Sequence, residues 1–520
     1  MTAPDADVVV VGSGPAGVSA AWPLAEAGLR VILLDASEPD AGPGLAPARH
    51  RADPDHWKTR FGADLAAVEA PPDVSPKFGT PRARAARAGF PDRIGLSTAG
   101  FFAAGSLGRG GLSTIWGALA TPFTAAERAG LPFPAAELDA AYARVSRRIG
   151  LGRPAPPSSP AARFVLARHA SRPGRDGVRL EPAPNAVLDA PRDGRQACNL
   201  CGLCLYGCDR GSIYASDLEL PALTRRPNLS YRPGHLVRAV EADGAGHRLR
   251  VETRGGAVTV TAPRVVLAAG TIATTGLALA RLGLFDQPVR LLSNPAAAAA
   301  FLVPRLVGID RPAGGLGLGQ VFYRAGDAAG VLYGADTLPL DMLAGRLPVG
   351  RPFALRVARA LAPALLLATC YRPGAQSRNT LTVSREDGST RLSIRGERTA
   401  EATASLRADL SRLGRALRRA GALALPGSTA ILEPGADAHY AGTLPMGEGM
   451  SGGMGEGMSG AGPAATTAEG ELAGAPGLYI ADGAALPTLP ATHPTLTIMA
   501  NADRIGRALA RRAQAGEDPR

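Results

Sequence analysis

The sequence predicts an α/β protein with more than one domain, and three observations carry that expectation. The chain has 520 residues, more than a single hydrophobic core usually serves. Near its start, DADVVVVGSGPAGVSAAWPLAEAGLRVILLDASE reads as strand, tight turn, helix, strand. Further along, ALLLATCYRP, NTLTVSRE and TRLSIRGE within 364–397 read as strands, and TAEATASLRADLSRLGRALRRAGA follows them with a helical period.

Composition narrows the class. Hydrophobic residues at 46% and charged residues at 20% fit a soluble globular protein rather than a disordered one. The formal charge of +12 comes almost wholly from scattered arginines, since only Lys58 and Lys77 are lysine. No basic run marks a polyanion patch, so no nucleic-acid partner is expected; the arginine bias, with abundant Ala, Gly and Pro, reads as the mark of a GC-rich genome. The opening MTAPDADVVVVGSG lacks the basic n-region of a signal peptide. The most apolar later stretch, 352–370, is interrupted by Arg356, Arg359 and Pro363, so no transmembrane segment is expected either. A cytoplasmic, reducing setting follows as the expectation, in which disulfides explain cysteines poorly.

The first element is the valine run Val8 to Val11, suited to a strand buried on both faces. Gly12, Gly14 and Gly17 then meet the G-x-G-x-x-G pattern. The first permits a tight turn, the second lets backbone approach a pyrophosphate, and the third lets helix and strand pack closely. The helix N-terminus offers unpaired N–H groups to phosphates, and Asp35 ends the second strand where a carboxylate can accept hydrogen bonds from a ribose diol. The pattern implies a dinucleotide site without choosing between FAD and a nicotinamide.

The other end of the chain chooses. HYAGTLPMG, and then GLYIADGAALPTLPATHPTLTIMANADRIG, lie within 431–505. In these residues the sequence resembles the glucose-methanol-choline (GMC) family of flavin oxidoreductases. The family's H-x-x-G-T segment matches His439, Gly442 and Thr443, and its C-terminal pattern matches Asp482, Gly483, Pro487, Thr488, His493, Pro494, Thr495 and Thr497. GRGGLSTIWGA at 108–118, with Gly110, Gly111 and Ser113, is similar to the family's glycine-rich flavin loop, and VVLAAGTIATTGLALARLG at 265–283 to its strand-to-helix return beside the cofactor.

The resemblance implies a discontinuous Rossmann-like FAD-binding domain interrupted by an α+β substrate domain on a mostly antiparallel sheet. The expected ranges are 1–289 for the first part of the FAD domain, 290–430 for the substrate domain, and 431–520 for the return. Pyranose oxidases carry a Ser-Thr-His-Trp run whose His bonds to the flavin; here the run is Ser113, Thr114, Ile115, Trp116, which implies noncovalent FAD. The implied reaction is oxidation of an alcohol to an aldehyde or ketone. His439 is expected as general base, with His493 binding the hydroxyl, because an imidazole titrating near neutrality suits the proton and flavin N5 the hydride. His50, His56, His169, His235 and His247 read as structural. The substrate is expected to be a sugar, cyclitol, glycoside or secondary-metabolite hydroxyl, with a long-chain or steroid alcohol also compatible. The electron acceptor is expected to be oxygen, a quinone or a redox protein. A non-redox lyase of the same family, with structural FAD, is the alternative.

Four of the five cysteines stand in ACNLCGLCLYGC, 197–208. Cys198, Cys201, Cys204 and Cys208 have the C-x2-C-x2-C-x3-C spacing that wraps thiolates around an iron–sulfur cluster. A Pro after the last Cys is missing, since Asp209 follows, and there is no second set. A cluster, a zinc and a metal-free loop therefore stay open. A cluster near the flavin implies one-electron transfer to an external acceptor. Finally, MGEGMSGGMGEGMSGA at 446–461 repeats an eight-residue unit and reads as a flexible surface insertion.

Overall fold

The computed structural model describes residues 4–38, 74–171, 174, 177–244, 246–345, 347–447 and 464–516. Val8–Val11 (β1) is buried along its whole length, and the helix Pro15–Glu26 (α1) carries the chain to the equally buried Val31–Leu34 (β2), which pairs with β1 in parallel. The full sheet runs Leu478–Ile480, Arg264–Leu267, β1, β2, Leu229–Arg232, every pairing parallel. Its edge strand Leu478–Ile480 comes from the far end of the chain, so the sheet is complete only when both ends have met.

The second sheet is antiparallel and has seven strands, with Ala296–Leu302, Leu365–Tyr371, Ala328–Gly334 and Gly319–Ala325 at its centre. The helices Pro160–Ser171 and Ala400–Arg419 cover it, burying Val165, Leu406, Leu410, Leu413 and Leu417 against Phe301, Val321 and Leu366. Val178–Pro182 hydrogen-bonds at its edge, although it lies in the range expected for the FAD domain. The α/β class and the pairing of a parallel nucleotide-type sheet with a largely antiparallel partner are as expected.

NTLTVSRE and TRLSIRGE do form strands, but in a third sheet. Its order is Tyr440–Ala441, Val289–Ser293, Asn379–Glu386, Ser389–Arg395, Leu96–Ala99. The chain therefore steps from the third sheet to the second across Asn294 and Pro295, between the strands Val289–Ser293 and Ala296–Leu302. That short step brings the base of the second sheet beside Tyr440 and its neighbour His439.

Residues 352–370 fold as most of the helix Arg351–Leu361, a tight turn and most of the strand Leu365–Tyr371. Among the described residues no helix is long and apolar enough to cross a membrane. The glycine–methionine repeat lies outside the described residues except for Met446 and Gly447.

Candidate active site

The three glycines of the first turn meet different surroundings. Gly12 has φ +103°, and a Cβ there would lie 2.5 Å from the Ala268 carbonyl oxygen. A Cβ on Gly17 would lie 1.8 Å from the Gly12 oxygen, so strand end and helix can touch only without one. A Cβ on Gly14 would meet nothing within 4 Å. Gly12, Gly14 and Asp35 line a cavity of about 1920 Å³, while Gly17 packs behind it. Asp35 is buried and accepts hydrogen bonds from the backbone of Ser13 (3.1 Å) and Ser37 (2.7 Å). Burial pushes its carboxyl up to about 6 in spite of those bonds.

The glycine-rich loop is stitched to this turn. Gly110 N–H donates to Ser13 Oγ (3.0 Å), Ser113 Oγ donates to the Gly110 carbonyl (2.6 Å), and Ser216 Oγ donates to the Ser13 carbonyl (2.9 Å). Gly111, Ser113 and Ile115 line the cavity, so at the flavin-attaching position the wall is aliphatic, whereas Gly110 lies behind it against Asp217. On the far side, Asp482 Oδ2 accepts from Gly270 N–H (2.9 Å) and the Thr274 hydroxyl (2.5 Å), and Oδ1 accepts from Ala484 N–H (3.0 Å). This clamp holds Gly483 where a Cβ would come 2.3 Å from the Tyr440 carbonyl oxygen. Pro494 and Thr495 open the helix Thr495–Gln514 at the cavity wall, where first-turn N–H groups without helical partners favour negative charge.

His439 and His493 meet in the same wall, ring centroids 5.0 Å apart, with the Tyr371 ring 5.5 Å from the first and 5.2 Å from the second. His439 Nδ1 lies 3.1 Å from Asn294 Oδ1. Asn294 Nδ2 donates to the carbonyls of Arg372 (2.8 Å) and Pro490 (2.9 Å), which commits Oδ1 as an acceptor. Nδ1 of His439 therefore carries the hydrogen, and its Nε2 lone pair is left free to take a proton.

Asp437 sits close by, yet it forms no ion pair with His439. Burial lifts its carboxyl to about 8, while burial and the neighbouring Lys77 ammonium lower His439 to about 4. Each is shifted toward its neutral form, and 3.9 Å from Oδ2 to Nδ1 is too long for a hydrogen bond. Asp437 Oδ2 accepts instead from the backbone N–H groups of Asn294 (2.7 Å) and His439 (3.2 Å), fixing the turn that presents the imidazole. His493 is held well below its ordinary value by burial, His439 and Lys77, and its Nδ1 is buried with no hydrogen-bond partner. A neutral imidazole with an uncommitted nitrogen in a cavity is suited to a ligand hydroxyl. By contrast, His235 and His247 each bond a backbone carbonyl, of Pro233 (2.7 Å) and Pro476 (3.0 Å).

Comparison with known proteins bears on the same residues. Residues 375–502, which include both histidines, match the family model described as GMC oxidoreductase. The C-terminal part of the chain carries a GMC oxidoreductase domain. Residues 7–46 match a second model, described as FAD dependent oxidoreductase. The fold of the chain is similar to that of pyridoxine 4-oxidase from Mesorbium loti, with TM-score 0.60 and 19% identity over 97% of this chain and 99% of that one. A thiamine thiazole synthase of Aeropyrum pernix is 66% identical over 29 residues, 6% of this chain; the chain spans 11% of the length of that curated relative.

The cavity fits the cofactor the family implies. The open flank of Gly14, the glycine-rich loop beside it and the cavity's reach from there to the histidines suit a dinucleotide flavin. The cysteines fit a metal less well. Cys198, Cys201, Cys204 and Cys208 share one loop without a disulfide, and only Cys204 reaches the cavity wall. Cys198 Sγ accepts the Leu200 N–H (3.4 Å) and Cys204 Sγ the Gly317 N–H (3.3 Å). Burial and the neighbouring thiols push both above the usual thiol value. Among the described residues no group of three or more His, Cys, Asp and Glu side chains is arranged to hold a metal ion. The iron–sulfur expectation thus finds no support in the structure, and no chemistry is routed through it.

Asn294, Asp437, Tyr371 and Lys77 are not among the site residues the sequence reading singled out. Asp437 precedes His439 by two residues and was open to notice as a buried acid in the motif's own turn. Asn294, 145 residues away, carries no local signal at all.

Proposed function

We propose that this protein oxidises the hydroxyl-bearing carbon of an alcohol to a carbonyl, with His439 Nε2 taking the hydroxyl proton and His493 binding the hydroxyl. Bound, noncovalent FAD would supply the two-electron acceptor that takes the carbon-bound hydride. The observation that carries this reading is the neutral imidazole pair, 5.0 Å apart, on the wall of the cavity that also holds the open glycine turn. Gly12, Gly14, Asp35, Gly111, Ser113, Gly483 and Thr495 are the residues proposed to hold the cofactor.

Asn294 positions the base from behind the cavity wall, and Asp437, which lines the cavity, uses Oδ2 to fix the turn that presents the imidazole. Tyr371 packs at right angles to His493 and limits the space in which a hydroxyl can sit. The substrate proposed is a sugar, cyclitol, glycoside or secondary-metabolite alcohol, or a long-chain or steroid alcohol. The fold neighbour is an oxidase, which supports oxygen as one acceptor alongside a quinone or redox protein.

The test is anaerobic mixing of FAD-loaded protein with a panel of alcohols, following loss of the flavin band. Bleaching by wild type and not by His439→Ala, with equal flavin content, is the expected result. A His439→Ala variant that bleaches as fast as wild type would remove the base assignment. Failure of every alcohol to bleach wild type would favour the lyase alternative.

A further inference from the structure

Among the described residues seven large apolar side chains are exposed, and four of them, Val307 (43%), Ile309 (38%), Val349 (44%) and Phe353 (59%), belong to two neighbouring segments. The first segment is tied to the helix Arg351–Leu361 by the Gly308 N–H, which donates to the Ala360 carbonyl (3.0 Å). On that helix Phe353, Val357 and Ala360 stand at i, i+4 and i+7 and so share one face. They form an apolar stripe that continues into Val307 and Ile309.

The charges around the stripe are mostly basic. Arg305, Arg351, Arg356 and Arg359 are exposed. Of the nearby acids, Asp341 is spent on Arg351 (3.1 Å), which leaves Asp310. An exposed apolar stripe bordered by arginines on an amphipathic helix is the pattern of a segment that lies in a membrane interface.

The other side of the same helix and of Leu340–Ala344 faces inward. Met342, Leu343, Leu347, Ala358 and Leu361 line the cavity that holds His439 and His493. The helix pair is therefore the wall between that cavity and the stripe, and its own fully buried core is only Ala344, Ala354 and Ala358.

We propose that this face docks on a bilayer carrying anionic headgroups, and that the cavity behind it draws an alcohol with an apolar tail from the lipid toward His439. The arginines supply attraction to the headgroups, and Phe353, Val349, Val307 and Ile309 enter the boundary between headgroup and acyl chain. The surface is argued from exposure and charge, whereas the substrate class rests on the alcohol oxidation proposed above.

The experiment is co-sedimentation of FAD-loaded, full-length protein with phosphatidylcholine vesicles prepared with and without phosphatidylglycerol. Wild type is expected to partition onto the phosphatidylglycerol vesicles. The double variant V349D/F353D should partition at least about ten-fold less, as the loss of two buried apolar side chains implies, with flavin content and Tm unchanged. Arg356→Gln and Arg359→Gln should each weaken partition about five-fold at low salt and little at high salt. Wild type remaining in the supernatant, or V349D/F353D partitioning like wild type, would overturn the proposal. So would a wild-type dimer that ignores vesicles and is split by F353D, since the face would then cover a second copy of the chain. Sedimentation needs no turnover: a protein that binds vesicles but is bleached by no alcohol would sink the oxidation reading and leave the docking surface standing.

Discussion

Replacing Asn294 by alanine tests how the base is held. The change removes three side-chain hydrogen bonds, to the carbonyls of Arg372 (2.8 Å) and Pro490 (2.9 Å) and from His439 Nδ1 (3.1 Å). At about 0.5–1.5 kcal/mol net for each, the variant should lose roughly 2–4 kcal/mol of stability and remain folded within a typical margin of about 5–15 kcal/mol. The chemical effect is separate. Without the acceptor, the hydrogen of His439 is free to sit on Nε2, the nitrogen proposed to take the substrate proton. A bond worth about 1.4 kcal/mol toward the productive tautomer corresponds to about ten-fold in turnover. Asn294 does not line the cavity, so KM and flavin content should stay near wild type. Stopped-flow flavin reduction under anaerobic conditions, with thermal unfolding on the same samples, separates the two effects. Asn294→Asp, which restores an acceptor for Nδ1, should retain more of the rate than Asn294→Ala even if it unfolds earlier. Equal flavin-reduction rates in wild type and Asn294→Ala would refute the tautomer argument.

Other outcomes follow from the same geometry. His439→Ala should lower the rate of flavin reduction by about 10²–10⁴. His439 must be neutral to accept a proton, and burial with Lys77 holds it at about 4; kcat/KM should therefore fall as pH drops through about 4, a limb distinct from the titration of Lys77, which burial lowers to about 7. Lys77→Met removes one of those two causes, so the acidic limb should move upward, but short of the ordinary value of 6.5 because burial, the larger cause, remains. A pH profile unchanged by Lys77→Met would mean that the lysine does not reach the imidazoles. Gly17→Ala, with a Cβ 1.8 Å from the Gly12 oxygen, should lower the Tm of protein with and without flavin. Gly14→Val, into open space, should spare the Tm of the flavin-free protein and lower FAD affinity, measured by titration.

Local pattern carried the sequence reading a long way. Four valines in a row and three glycines at fixed spacing state a buried strand and a tight turn without reference to the rest of the chain, because sterics within a few residues decide them. The two histidines were legible for a similar reason, since each stands inside a short motif. The strands of 379–395 were legible as strands, but their sheet was not, because alternation reports a buried face and not the partner across it.

What only the tertiary structure decided was the state of each group. Asn294 orients His439 because a two-residue step between sheets brings it across 145 positions of chain. Asp437, an acid beside a histidine in the sequence, is pushed toward its neutral form because both are out of water. The ferredoxin-like cysteine spacing lies in a loop that, among the described residues, does not bring three or more potential ligands together around one ion. Spacing along the chain names the residue types a site can use, whereas protonation and orientation depend on solvent exclusion and on partners that the fold brings from elsewhere.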